Sequence, residues 1–521
     1  MAGNRDANKL RLASELHPEC LQDPHVLTDT SFPYWVDASK RVTPQMFLDK
    51  NDAANGGSDN SAANRLRWML NETMGAQGAF DRRRHELSVL RACAEDAVSD
   101  ADVVESYRSE VDPTKEGDNF MLKYLQHGKL AYVFGNCLFV HGAVSARNMG
   151  TVPGSTKRFG RVQEWVEALN SWCKQEVVDF VADPFGGKNA RNRKGSGLTD
   201  YGVPGGNEGA TVVYEHNLSN GNGKHIEPGV QAFLLRSGIT SVISGHQPHG
   251  DCPLVIRTGR VTAITADTSY SEMGHKSSWG VDNRGEKAVS ELLLRTDGSS
   301  EVRGILADGT GIFYRLPPGG HVPFPPMSAG AAGDVFVGRQ LANGFWVKAR
   351  TIGENPEYVL CRGEGFKLTV ERRKVSEMEA LTEADFMQNL EVVDVADMND
   401  WEAKFDSDHG WVTENRPEGD HNDRREATQS LSVAKVQVTR LKSKTSKKLR
   451  RHEQNKTQDV TVKTHETLTH YFWRAGSTAN AASTFTSTGN AFAFAAADAL
   501  HLLLFNARCI ESGKNYWTLE F

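Results

Sequence analysis

Two short apolar runs that each stop at a histidine constrain this chain most. Leu138-Phe139-Val140 leads straight into His141-Gly142, and Thr240 to Ser244 leads into Gly245-His246. Short apolar runs like these predict strands, the second of them rich in β-branched residues. Helical spacing lies between them. Val162, Trp165, Val166, Leu169 and Trp172 share one face of a helix over 161–181, and a second helix over 230–236 is followed by Gly238 at the position of a C-terminal cap. This alternation predicts an α/β fold, and open α/β sheets gather their ligands at the carboxyl ends of strands.

The same reading extends along the chain. Helices are expected over 7–16 and 86–98, and a hairpin is expected where 129–134 and 137–141 meet at Gly135-Asn136. Residues 186–223 are rich in Gly and Asn and form a long loop, with a strand over 210–214 after Asp200-Tyr201-Gly202-Val203-Pro204-Gly205. Residues 298–375 have a different texture, with hairpin turns at Ala307-Asp308-Gly309, Ala342-Asn343-Gly344 and Gly363-Glu364-Gly365 and a Pro/Gly linker over 317–333. They predict a small antiparallel β module. An acidic helix is expected over 376–404, with Ser376 and Glu379 spaced as a capping box. Residues 405–521 read as a tail of low order.

Composition excludes several function classes. The net charge is −6 over 521 residues, so the chain is not basic throughout, although 442–451 (KSKTSKKLRR) holds six Lys/Arg. That stretch is the one nucleic-acid or nuclear-import feature; it lacks the interleaved aromatics of a single-strand binder and reads mainly as a solvated tail. Seven cysteines without a CxxC pair indicate reduced thiols in a cytoplasmic type of compartment, with the nucleus as the variant that 442–451 would imply. No signal peptide follows Met1, and the most apolar window, 491–505, is interrupted by Asp498 and His501, so no membrane association is expected.

A third motif, Gly3-Asn4-Arg5-Asp6, opens the first helix. An Asn carbonyl oxygen and two imidazoles are suitable ligands for Zn, Mn or Fe. In order and strand context, Gly3-Asn4-Arg5-Asp6, Leu138-Phe139-Val140-His141-Gly142-Ala143 and Ile243-Ser244-Gly245-His246-Gln247-Pro248 resemble the latter part of the calcineurin-like metallophosphoesterase superfamily, in particular its serine/threonine-phosphatase-like branch. Asp282-Asn283-Arg284-Gly285, followed by Ala288-Val289, resembles the lead into the terminal strand of that fold. The resemblance covers residues 1–297. It implies an αββα sandwich lacking its first strand–helix unit, followed by the β module, with Asn4, His141 and His246 as metal ligands. In a complete two-metal site a bridging hydroxide attacks the phosphorus of a phosphate ester, so the implied partner is a phosphorylated substrate and the implied cofactors are two divalent ions.

Two departures qualify the expectation. GDxHG and GDxxDRG, the motifs that supply the family's remaining ligands, do not occur; Gly117-Asp118, Gly333-Asp334 and Gly419-Asp420-His421 are not credible substitutes. The reading is therefore a chain incomplete at its N-terminal side, with weak metal binding and impaired activity, and a non-catalytic pseudophosphatase or interaction scaffold as the alternative. Secondly, Arg5 stands where the family has a proton-donating histidine. Arg keeps its proton near neutral pH, although it can clamp a phosphate. Such an enzyme would favour leaving groups that need no proton or recruit another acid, for which His249 is the candidate. Asp6 would orient its neighbour. Lesser features are Arg82-Arg83-Arg84 as a basic patch or solvated helix start, Asp267-Thr268-Ser269-Tyr270 at a strand end, and Cys252 as a thiol near the last motif.

Overall fold

The computed structural model describes residues 1–55, 59–187, 193–268, 288–295, 297–319, 333–365 and 367–387, and four short strand segments at 405–406, 410–411, 510–512 and 516–519. It is mixed α/β. Short helices lead: α1 (Asn4–Asn8), α2 (Arg11–Glu15), α3 (Pro18–Leu21), α4 (Pro24–Thr28), α5 (Pro44–Asn55), α6 (Ala62–Trp68), α7 (Ala79–Arg91), α8 (Asp100–Val111) and α9 (Phe120–His127). The helix expected over 7–16 is thus two helices, and it starts earlier. Asp6 Oδ2 accepts the Gly3 amide at 2.8 Å, which satisfies an otherwise orphaned donor and fixes the start of α1 at Asn4. The helix expected over 86–98 is displaced toward the N-terminus. It ends where Ala92 turns left-handed (φ 52°) and the Cys93 amide reaches back to Ser88 O at 3.0 Å, leaving 95–97 as a separate 3₁₀ turn.

The hairpin at Gly135-Asn136 forms between β1 (Ala131–Phe134) and β2 (Cys137–Val140). Then follow α10 (Val162–Ala182), α11 (Ser196–Tyr201), a minimal hairpin of β3 (Leu218–Ser219) and β4 (Asn222–Gly223), α12 (Pro228–Arg236), β5 (Ser241–Ser244), β6 (Leu254–Thr258) and β7 (Val261–Thr265). The helices expected over 161–181 and 230–236 are α10 and α12, and Gly238 has φ 75°. The first sheet has the order β1-β2-β5-β7-β6, with β2, β5 and β7 parallel and β1 and β6 antiparallel to their neighbours.

Alternation assigns the faces of this sheet. Leu138, Val140 and Val242 pack with the helices, around Trp165, Phe180 and Leu66. Cys137, Phe139, Ile243 and Ile264 point the other way, into a core shared with the β-rich segment. All four residues of β2 are buried, as a strand covered on both faces requires. At the edge, Asn170 Oδ1 accepts the Leu130 amide at 2.9 Å and the Ala131 amide at 3.4 Å, and Asn170 Nδ2 donates to Ala131 O at 2.8 Å.

The second sheet is built from β8 (Val289–Arg295), β9 (Ser300–Ile305) and β10 (Gly311–Leu316), and a third from β11 (Trp346–Arg350), β12 (Glu357–Glu364) and β13 (Lys367–Lys374). The boundary expected at 297/298 falls in the turn of the β8–β9 hairpin, and Leu292, Val302, Tyr314, Val347 and Leu360 share the core beneath β2 and β5. Two of the three expected turns occur as read, with φ 86° at Gly309 and 87° at Gly344. The third reversal lies later, because β12 runs through Gly363-Glu364 and pairs Glu364 with Lys367.

The expected acidic helix shrinks to α13 (Val375–Glu379), with Ser376 inside it and Glu377 Oε2 accepting the Lys374 amide at 3.0 Å. Residues 388–404 lie outside the described residues, as does most of 405–521, including the basic stretch 442–451 and the apolar window 491–505. The exceptions are β14 (Phe405–Asp406) paired with β15 (Gly410–Trp411), and β16 (Ile510–Ser512) paired with β17 (Tyr516–Leu519), which adds to β8.

Candidate metal centre at two strand ends

The parallel pairing of β2 with β5 decides where the two histidines go. His141 is the residue after β2, His246 lies just past β5, and the Gly245 amide donates to His141 O at 2.9 Å, tying the strand ends together. The imidazole centroids are 5.1 Å apart. Asn4, the first residue of α1, places its Oδ1 3.0 Å from His141 Nε2. The three residues singled out in the sequence therefore meet.

The local backbone is shaped for this meeting. His246 has φ 72°, a left-handed conformation that a non-glycine residue adopts at a cost, and such strain clusters at functional sites. A Cβ on Gly3 would lie 2.6 Å from His141 Cε1, so the ring packs flat on the glycine. A Cβ on Gly142 would lie 2.2 Å from Glu215 O and under 3 Å from the carbonyls of Val212 and Val213. The expected strand over 210–214 is instead a turn, because its groups are spent on other partners. Val212 O accepts the Gly142 amide at 2.8 Å, and Thr211 O accepts Asn148 Nδ2 at 2.9 Å. Asn148, fully buried, also donates to Ala143 O and accepts the Ser145 amide. This turn brings the Tyr214 ring to 4.7 Å from His246.

Electrostatics keep both imidazoles neutral. Burial holds His141 well below its ordinary range, with His246, the chain's amino terminus and Arg5 adding repulsion. Burial likewise lowers His246 to about 3, helped by His216 and Arg5 and opposed by Glu215. His246 Nε2 is buried without a hydrogen-bond partner among the described residues. A neutral imidazole nitrogen with no proton partner is a donor suited to a metal.

The remaining expected site residues are divided. Arg5 is exposed, and its charge reaches His141, His246 and Tyr214. Asp6 is engaged as the cap of α1. His249 is buried; Lys348 Nζ donates to its carbonyl, and no contact to Asn4, His141 or His246 is among its described interactions. The segment after Asp200 lies against α1, where a Cβ on Gly202 would stand 3.4 Å from Asn4 Cα. Arg83 pairs with Glu86 and Glu110, and Arg84 with Asp81 and Asp100, so both are committed to helix packing. Burial pushes the Cys252 thiol up to about 12, which leaves little reactive thiolate. Ser269, Tyr270 and the segment 282–287 lie outside the described residues.

Sequence reasoning missed Tyr214, Glu215 and Asn148. Asn148 sits seven residues past His141, and nothing in a polar loop residue announces its complete burial. Among the described residues, no three His, Cys, Asp or Glu side chains come together as metal ligands, and no helix is long and apolar enough to cross a membrane. Any metal at the strand ends thus depends on Asn4 as third donor. Compared with protein-family models, curated proteins and solved structures, the chain matches none.

Proposed function

We propose that Asn4, His141 and His246 form one metal site of a calcineurin-like metallophosphoesterase, with phosphate esters as the substrate class. The observation that carries this reading is the 3.0 Å hydrogen bond between His141 Nε2 and Asn4 Oδ1, which a bound cation would replace, together with the unpartnered Nε2 of His246 on the neighbouring ring. Two donors about 2.1 Å from one cation and at right angles to each other stand about 3.0 Å apart, so the spacing suits joint ligation. The first sheet, with helices on one face and β-sheets on the other, supplies the α, β and β layers that an αββα sandwich would need. A bound Mn, Fe or Zn ion would polarise a phosphoryl oxygen and favour hydroxide at neutral pH.

The chain's own residues have separable roles. His141 and His246 carry neutral nitrogens, Asn4 turns its carbonyl oxygen to His141 Nε2, and Asp6 and Gly3 hold the start of α1 against the His141 ring. Arg5 supplies positive charge at the exposed side. With three neutral donors no fixed carboxylate offsets a dication, so affinity at this site is weak. That same feature supports a second reading, a non-catalytic scaffold, which binds no stoichiometric metal.

Calorimetric titration with Mn²⁺, alongside hydrolysis of p-nitrophenyl phosphate, separates the two. The phosphoesterase reading expects saturable Mn²⁺ binding that His246→Ala and Asn4→Ala each weaken at least tenfold. Binding that neither substitution changes would discard it.

A further inference from the structure

Independently of the metal-site reading above, we propose that the helical lobe holds a small, weakly hydrated monovalent anion, a halide in chemical class, against the buried guanidinium of Arg65 on α6. The neighbourhood begins with a pair that is already complete. On α2, Arg11 grips Glu15 with two nitrogens, Nε to Oε1 at 2.6 Å and Nη2 to Oε2 at 3.1 Å. Its Nη1 donates to Asn8 Oδ1 and Thr73 Oγ1. Arg65 has no such carboxylate. Its Nε and Nη2 share the neutral Asn60 Oδ1, at 3.3 and 3.2 Å, and its Nη1 is buried with no hydrogen-bond partner among the described residues. The residue is 1% exposed. Burial lowers its pKa from 12.5, yet an arginine keeps its proton near neutral pH, so the charge stays.

One aromatic box brings the two arginines together. Arg11 Cζ lies 4.9 Å from the Phe32 ring and 5.4 Å from that of Trp35. Phe32 stands 6.4 Å from Trp68, and Arg65 Cζ lies 5.5 Å from the Trp68 ring. Glu15 is the carboxylate whose charge reaches Arg65, and its oxygens are already spent on Arg11. Arg193, buried and lowered by that burial to about 10, acts on the same Glu15 and Arg11, so a further cation crowds the region. A buried cation without a counter-charge is among the costliest arrangements in a protein interior. One negative ion beside Nη1 removes that cost. Enclosure selects the kind of ion. Whatever enters must leave its water behind, which favours a halide over a phosphate, and the guanidinium is itself weakly hydrated. A single negative charge also matches the one that Arg65 brings.

Thermal unfolding of the full chain at fixed ionic strength tests this. Sodium gluconate, whose anion is too bulky to be enclosed, is replaced stepwise by sodium chloride. The midpoint should rise saturably, by roughly 3 °C once chloride stands about tenfold above its half-saturating level. Arg65→Met keeps an apolar stem against Trp68 and should abolish that rise. Arg91→Met, which removes a half-exposed guanidinium paired with Asp102, should retain it. Crystals grown from bromide read the same site without any substitution, and an anomalous peak beside Arg65 Nη1 is expected. Equal midpoints in the two salts, a chloride response that survives in Arg65→Met, or bromide crystals with no peak there would overturn the proposal. The other titratable group acting on Arg65 is the buried Cys20 thiol. Ultraviolet thiolate absorbance that Cys20→Ala removes would put the counter-charge on sulfur and likewise overturn the anion site.

Discussion

Gly3 and His141 pack so closely that a single methyl group cannot come between them: a Cβ on Gly3 would sit 2.6 Å from Cε1 and 2.8 Å from Nδ1 of the ring. The residue before Asn4 thus sets the plane of the imidazole that Asn4 meets. Gly3→Ala must tilt that ring. The expected outcome is a loss of roughly 1–2 kcal/mol of stability, from overpacking against a side chain, with Mn²⁺ affinity falling by more than stability alone explains. Urea denaturation and metal titration on the same preparation check the two effects.

Gly142→Ala should be worse. Its methyl would meet carbonyl oxygens of Glu215, Val212 and Val213, and backbone cannot rotate away as an imidazole can. A loss of about 3 kcal/mol or more is expected, read as a fall in urea midpoint. A midpoint equal to that of Gly3→Ala would refute the distinction.

His246→Gly should cost the fold less than His246→Ala, while both remove the donor and the ring that packs on Tyr214 and His141. Glycine accepts φ 72° without the steric cost borne by a residue with a Cβ, a difference of roughly 1 kcal/mol. Thermal unfolding should therefore come higher for His246→Gly than for His246→Ala, with metal binding lost in both.

Acid should weaken the fold through His249. Burial first, and the Lys348 cation second, lower its pKa from 6.5 to about 3. The unfolded chain takes up a proton as pH falls through 6.5, whereas the folded one does not until near 3. Stability from this group is thus present above pH 6.5 and is lost progressively below it, by about 2 kcal/mol at pH 5. Unfolding curves at pH 7 and 5 should show a decline about 2 kcal/mol smaller for His249→Phe than for the wild type.

Asn148→Ala should cost about 2–4 kcal/mol. It strands the Ser145 amide and two carbonyls, those of Ala143 and Thr211, in a buried loop. Because that loop presents Tyr214 to His246, metal affinity should fall with it.

The approach of His141 and His246 was legible in the sequence because a short apolar strand runs into each, and strand ends collect in space when their strands pair in parallel; Asn4 was joined to them by the order of the three motifs. The hairpin at Gly135-Asn136 and the helices α10 and α12 were legible for a related reason, namely periodicity reinforced by a turn glycine. The turn at 211–214 was not. Its Val212-Val213-Tyr214 pattern has strand propensity, but Tyr201 Oη, Asn148 and Gly142 take the hydrogen bonds that a ladder would need. Nor was the role of His249, since a histidine near a motif reads the same whether it faces a cleft or lies under a lysine. The onset of α7 was hidden because Arg82-Arg83-Arg84 looks like a solvated patch until the carboxylate partners of Arg83 and Arg84 on α7 and α8 are known.

The Asn170 side chain has one further consequence. Its amide satisfies both the N–H and the C=O of Ala131, mimicking a neighbouring strand for one residue at the rim of the first sheet. Any foreign β-segment pairing at that rim would have to displace it first, so a single carboxamide guards this edge against strand addition.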